Sequence, residues 1–372
     1  MVDLVGQYKK IKNEIDTAVL EIMSEASFIN GPAVTRFQKS FEEYLGVKNV
    51  IPCANGTDAL QVALMALDLK PGDEVITTSF TFIATAEVIA LLKLTPVLVD
   101  VIPETFNIDP VAVEKAITSK TKAIIPVHLF GQSADIHSLK MIANEHNLYI
   151  IEDTAQAIGA DFTCPESGKT KKIGTFGHIG CTSFFPSKNL GAFGDGGAIF
   201  TDDDDLADTM RMIVNHGMKK RYYHDEIGVN SRLDSIQAAI LDIKLKYLDE
   251  YSTARQKAAA YYNDAFAGNP KIKTPVTADF TTHVFHQYTL VLVDVDREGL
   301  MNHLASKGIA SAVYYPVPLH LQKAYLDPRY KEGDFPVTEM LSNSVISLPI
   351  HTELTPEIQK EITDAVLEFI DN

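Results

Sequence analysis

The chain has no tryptophan and only three cysteines in 372 residues. Cys53, Cys164 and Cys181 form no CxxC pair, and their number is odd. That excludes a disulfide framework and a four-cysteine zinc site, so free thiols in a reducing compartment are expected. Basic residues are scarce as well: 33 Lys and Arg stand against 49 Asp and Glu, a net charge of −16. Such a surface repels a phosphate backbone, so nucleic-acid binding is not expected. No run approaches the ~18–20 uninterrupted apolar residues of a membrane helix. The opening segment MVDLVGQYKKIKNEID is charged and amphipathic, without an apolar signal core, and a cytoplasmic location is expected.

Several catalytic signatures are also missing. There is no GxSxG, no HExxH and no paired Cys/His ligand set, and no metal is expected. PESGKT at 165–170 resembles the end of a phosphate loop, but the first glycine of that motif falls on Thr163. GAFGDGGA at 191–198 does not fit GxGxxG and precedes a strand pattern, the wrong context for a dinucleotide site.

What is present is alternation. Short β-branched runs at 49–53, 74–78, 95–101, 122–127, 148–152, 181–185 and 197–201 are separated by helical patterns at 57–67, 83–94, 109–117 and 135–147. This predicts an α/β fold with a mixed, mostly parallel seven-stranded sheet covered on both faces. The last two strands are joined by a glycine-rich turn and no helix, so one of them runs antiparallel. TDDDDLAD at 201–208 reads as a solvated helix start, where aspartates suit the dipole. Ile236, Ile240, Ile243 and Tyr247 form one apolar helical stripe, read as a spine leading onward. The length calls for two units. We expect a large domain over 1–250 and a smaller α+β domain over 251–372, with a strand at 286–295 and helices at 297–308 and from Pro356.

Ligands of open α/β sheets bind beyond the carboxyl ends of the strands. There the chain delivers ANGTDAL, whose Gly56 and Thr57 open a helix with free amides, a phosphate cradle or an ordinary cap. It delivers SFTF, with Phe80 and Phe82 as a stacking platform or as core. His128 follows the fourth strand, and Glu152, Asp153 and Gln156 follow the fifth, where an acid either caps a helix or pairs with a cation. Lys188 follows the sixth, in CTSFFPSKNLGAFGDGGAIF. A phosphate cradle, a ring platform, a carboxylate and a turn lysine at one sheet edge suit pyridoxal 5′-phosphate (PLP). That cofactor needs a lysine for its aldehyde and an acid for its pyridine nitrogen.

These segments, with FINGPAVTRFQKSFEEYLG, PGDEVITTSFTFIATAEVIALL, IEDTAQAIGA, GVNSRLDSIQAAIL and YYPVPLHLQ, resemble the DegT/DnrJ/EryC1/StrS sugar-nucleotide aminotransferases over nearly the whole chain. The resemblance implies the aspartate-aminotransferase-like fold, fold type I of PLP enzymes. It implies that Lys188 joins the cofactor aldehyde, Asp153 pairs with the pyridine nitrogen and Gln156 meets the phenolic oxygen. Phe82 stacks on the ring, and Gly56, Thr57 and Ser183 hold the phosphate. Asn230 reaches the phosphate of a neighbouring subunit, making a homodimer with shared sites. Within the family, CTSFFPSK, GDGGAIFT, RYYHDEIGVNSRLD and QYT are most similar to enzymes that aminate C3 of UDP-2-acetamido-2-deoxy-3-oxo-glucuronate in surface polysaccharide biosynthesis. Arg232 then suits an acidic sugar or a dimer salt bridge. Tyr315 and His320 are carried over as substrate-binding; those enzymes have histidine at 314 and asparagine at 320, where this chain has Tyr314 and His320. The implied reaction takes an amino group from a donor, glutamate, to a keto-sugar nucleotide, with the freed Lys188 moving the proton. The rivals are a dehydratase of the same fold, disfavoured because its lysine is a histidine; a desulfurase, which needs a cysteine loop; and a non-enzymatic regulator.

Overall fold

The computed structural model describes residues 1–371. Two helices, Leu4–Glu25 and Pro32–Leu45, precede β1 (Asn49–Cys53). Then come β2 (Glu74–Thr78), β3 (Thr95–Val99), β4 (Thr121–Ile125) and β5 (Tyr149–Asp153). A hairpin, β6 (Asp161–Thr163) and β7 (Thr170–Lys172), leads to β8 (Ile179–Ser183) and β9 (Gly197–Thr201). The sheet order is β1-β9-β8-β5-β4-β2-β3. Only β9 runs against the rest, pairing antiparallel with both β1 and β8. The turn from β8 to β9 contains no crossover helix, so the chain can only fold back on itself. This is the mixed, mostly parallel seven-stranded sheet expected, with strand ends shifted by up to two residues. PESGKT lies in the β6–β7 hairpin, where no helix follows it.

Successive side chains of a strand serve opposite layers. Ile125 and Ile151 pack with the helices Gly56–Ala66 and Asp204–Ile213, whereas Ile124 and Ile150 pack with Pro110–Ala116 and Ile136–His146. The aspartate run behaves as expected: Asp203 caps Asp204–Ile213 by accepting from the amides of Asp205 and Leu206. The apolar stripe is buried against Ile11 and Ile15 of the first helix. It is not one helix, however. Ser235–Leu245 ends, Lys246 and Tyr247 bond three residues back, and Leu248–Ala265 begins.

After a small exposed hairpin, β10 (Met218–Lys220) and β11 (Tyr223–His224), the last third of the chain builds a second sheet. Its strands β12 (Ile272–Lys273), β13 (Tyr288–Leu292) and β14 (Val345–Leu348) are antiparallel. Helices Leu248–Ala265, Arg297–Ser306 and Pro356–Asp371 cover it around Tyr262, Leu290, Leu300, Leu348 and Val366.

Candidate active site

Beyond the carboxyl ends of β1, β2, β5 and β8 lies a cavity of about 680 Å³. Gly56, Thr57, Phe82, Asp153, Gln156, Ser183, Lys188 and Tyr315 all line it, although the sequence scatters them over 260 positions. At one end, Asn55 caps the helix Gly56–Ala66 through the amide of Asp58, 2.8 Å away. The preceding amides, of Gly56 and Thr57, have no partner within the helix and form the positive end of its dipole. Ser183 stands beside them: a Cβ on Gly56 would lie 2.6 Å from that of Ser183. Any larger residue than glycine closes the cradle.

The fifth strand supplies two acids that alternate in direction. Glu152 points away from the cavity, fully buried, and accepts from the amides of Gly174 and Phe176 at 2.8 Å and from His128 Nε2 at 2.9 Å. Burial pushes its carboxyl up, but His128 and the loop amides outweigh this and hold it below the usual range. Asp153 points into the cavity. Its Oδ2 accepts from Thr85 Oγ1 at 3.0 Å and its Oδ1 from the Ala155 amide at 3.1 Å. Burial pushes the Asp153 carboxyl up, with those bonds and the Lys188 charge opposing. Burial likewise pushes the Lys188 amine down, to about 8, against the attraction of Asp153. About a tenth of such an amine is unprotonated at pH 7, far more than of an ordinary lysine, as a nucleophile or base requires.

Gln156 is held on both sides. Its Oε1 accepts from the Phe130 amide at 2.8 Å, and its Nε2 donates to the Tyr315 hydroxyl at 2.9 Å. The Tyr315 ring lies 6.4 Å from that of Phe82. Phe82 is half exposed on the cavity wall, whereas Phe80 is buried, so the SFTF pair divides between cavity wall and core.

Three expected residues are not brought to this wall. His320 is sealed inside: its Nδ1 meets Ser79 Oγ at 2.8 Å and its Nε2 meets Glu339 at 3.0 Å. With both nitrogens taken, the substrate-contact expectation for His320 is corrected to a structural one. His320→Ala should lower stability by about 1–3 kcal/mol, the cost of unpaired buried partners, in a denaturant titration. At permissive temperature its KM for substrate should match the wild type. Asn230 is exposed and Arg232 half-buried, and neither lines the cavity of its own chain. Both flank Ser231, whose Oγ accepts from the Ala54 amide at 3.1 Å, just ahead of the cradle.

The residues present fit PLP. A Cβ at position 56 would fill the cradle beside the free amides, and Thr182, His286 and Gln287 add polar residues to the lining. An anion cradle, a buried carboxylate, a ring wall and an amine of lowered pKa surround one volume. Sequence reasoning missed Thr85, His286 and Gln287, because nothing in their local pattern marks them.

A family model, the DegT/DnrJ/EryC1/StrS aminotransferase family, matches residues 9–367. The chain belongs to that family. Among its relatives, a protein of Geobacillus stearothermophilus named a pleiotropic regulatory protein is 47% identical over 99% of this chain and 98% of its own. The UDP-2-acetamido-2-deoxy-3-oxo-D-glucuronate aminotransferase of Pseudomonas aeruginosa is 46% identical over 95% of each chain. The crystal structure of DesV from S. venezuelae, with a ketimine intermediate, superposes with a TM-score of 0.95 at 39% identity, covering 100% of this chain and 98% of that one. The family fold is the fold type I architecture expected from the sequence.

Proposed function

We propose that this family member is a PLP-dependent transaminase that moves an amino group, from glutamate, onto a keto-sugar nucleotide. The observation that carries the reading is the pairing of Lys188 and Asp153 across one cavity: burial lowers the amine toward its neutral, nucleophilic form, and it leaves the carboxylate in need of the cationic partner that a protonated ring nitrogen would be. Gly56, Thr57 and Ser183 would hold the phosphate and Phe82 the ring face. Asp153 would keep a proton on the pyridine nitrogen, and Gln156 with Tyr315 would orient the phenolic oxygen. Bound there, PLP supplies the electron sink for cleaving the Cα–H bond of an amino acid. Lys188 holds and returns that proton. The names of relatives support a UDP- or dTDP-linked substrate, and that of the Pseudomonas relative supports an acidic 3-keto sugar; the product would serve surface polysaccharide biosynthesis.

We propose further that two chains share each site. Among the described residues lining the cavity there is one lysine and no arginine, against Asp58, Asp153 and Asp195. A cofactor phosphate and a nucleotide diphosphate need more positive charge than that. Neither Asn230 nor Arg232 lines the cavity of its own chain, and a second copy would contribute the Arg232 charge and the Asn230 amide donor.

Adding PLP to the purified protein should produce a visible absorbance band, which glutamate should bleach. Borohydride added before any glutamate should fix the cofactor on Lys188, as peptide mapping reads. A label on another lysine would overturn the assignment, and no band at all would favour the regulator reading that the Geobacillus relative's name suggests. Candidate keto-sugar nucleotides assayed with glutamate then decide the substrate.

A further inference from the structure

Lys244 is a buried ammonium that makes no ion pair among the described residues. It lies on Ser235–Leu245, 1% exposed, and its Nζ donates to the carbonyl of Gly191 at 2.5 Å. The Phe193 ring is 5.4 Å away. Burial, with Arg255 adding to it, pushes the amine down to about 8. Burying a cation against a single neutral acceptor costs folding free energy, and an apolar chain of the same length would fill the space without that cost. Stability alone does not account for this lysine.

What it touches gives another account. Gly191 and Lys188 belong to the same turn, three residues apart. Gln237 lies seven residues before Lys244, on the same helix face, and its Oε1 accepts from the Phe193 amide at 2.9 Å. One helix therefore grips the turn at two points, a carbonyl and an amide. The turn is closed around them: Lys188 N bonds Phe185 O, and Ala192 N bonds Phe184 O, both at 2.8 Å. A Cβ on Gly191 would lie 2.3 Å from Pro186 O, so this position has no room for a side chain.

We propose that Lys244 and Gln237 are positioning residues for Lys188, fixing the turn that carries it over the cavity. The proposal rests on the reading of Lys188 as the PLP-binding amine.

The test compares PLP binding and thermal stability in four proteins: wild type, Lys244→Met, Lys188→Met and the double variant. Cofactor-free Lys244→Met should melt at or above the wild-type temperature, because an uncompensated buried charge is gone. Its affinity for PLP should nevertheless fall about tenfold or more, the worth of a charged hydrogen bond, and borohydride fixation on Lys188 should slow. In the Lys188→Met background, where PLP is held without a covalent bond, adding Lys244→Met should change the dissociation constant by less than twofold. Gln237→Leu should repeat the pattern with a smaller loss, and it stands in if Lys244→Met does not fold. Unchanged PLP affinity in the single variants overturns the proposal. So does an equal loss with and without Lys188, which would mean general damage to the cavity. Wild-type protein that never takes PLP on Lys188 overturns the parent reading instead.

Discussion

Asp153→Asn should still bind PLP but turn over about 10²–10³-fold more slowly, the usual loss when one preorganised electrostatic group is removed from an active site. The amide keeps the shape: its oxygen can accept from the Ala155 amide and its NH2 can donate to the Thr85 hydroxyl, which accepts equally well, so the cavity survives. It cannot hold a proton on the ring nitrogen, so the electron sink weakens. A second consequence has the opposite sign. Burial raises the Asp153 carboxyl above its ordinary range in the folded chain. The folded protein then binds more protons than the unfolded one between the two values. Cofactor-free wild type must therefore lose stability as pH rises through that window, above the unfolded value of ~3.9. The asparagine variant has no such slope and should be the more stable of the two near neutrality. Urea titrations of both proteins from pH 4 to 8 read the stabilities, and glutamate half-reaction kinetics read the loss. Near-normal turnover in Asp153→Asn would remove the pyridinium role. A wild-type slope equal to the variant's would mean that Asp153 does not carry the buried charge.

The same strand shows what could be read from residue order and what could not. Alternation and turn chemistry depend on neighbours in the chain, so the sheet, the reversal of β9 and the arrival of Asp153 and Lys188 at one edge were all legible. Adjacent Glu152 and Asp153 looked alike in sequence. Only the strand's period sends one to the loop at 174–177 and the other to the cavity. Thr85 and Tyr315, which hold Asp153 and Gln156, stand 68 and 159 residues from their partners, and no local pattern encodes such a contact. His320 failed for a related reason. It lies in the 3₁₀ turn Leu319–Leu321, which carries it into the wall toward Ser79 and away from the loop that presents Tyr315. The break after Leu245 was hidden because Tyr247 continues the apolar stripe across it. Asn230 is different again: within one chain it has no visible task at the site, and a second copy would give it one.

Mixing inactive Lys188→Ala chains with Asn230→Ala chains should restore activity. Alone, the first lacks the reacting amine, a loss of at least 10²–10⁴-fold. The second gives up a hydrogen bond to a charged phosphate, about 1.5–3 kcal/mol, and should fail at limiting PLP. Suppose Asn230 serves the partner's cavity. In a mixed dimer, the site built on the Asn230→Ala chain has its own Lys188 and the partner's intact Asn230. The other site carries both defects. After equal mixing and full exchange, half of the dimers are mixed, so about a quarter of all sites should work. Suppose instead that Asn230 serves its own chain. Every site then keeps one defect, and mixing recovers nothing. The geometry favours the first case: the segment around Ser231 is tied to Ala54 beside the cradle, yet Asn230 itself is exposed and does not line the cavity of its own chain. Activity at limiting PLP, measured before and after exchange, separates the two cases once mass spectrometry has confirmed that mixed dimers formed. No recovery under those conditions would falsify the shared site and leave each cavity to find its positive charge within one chain.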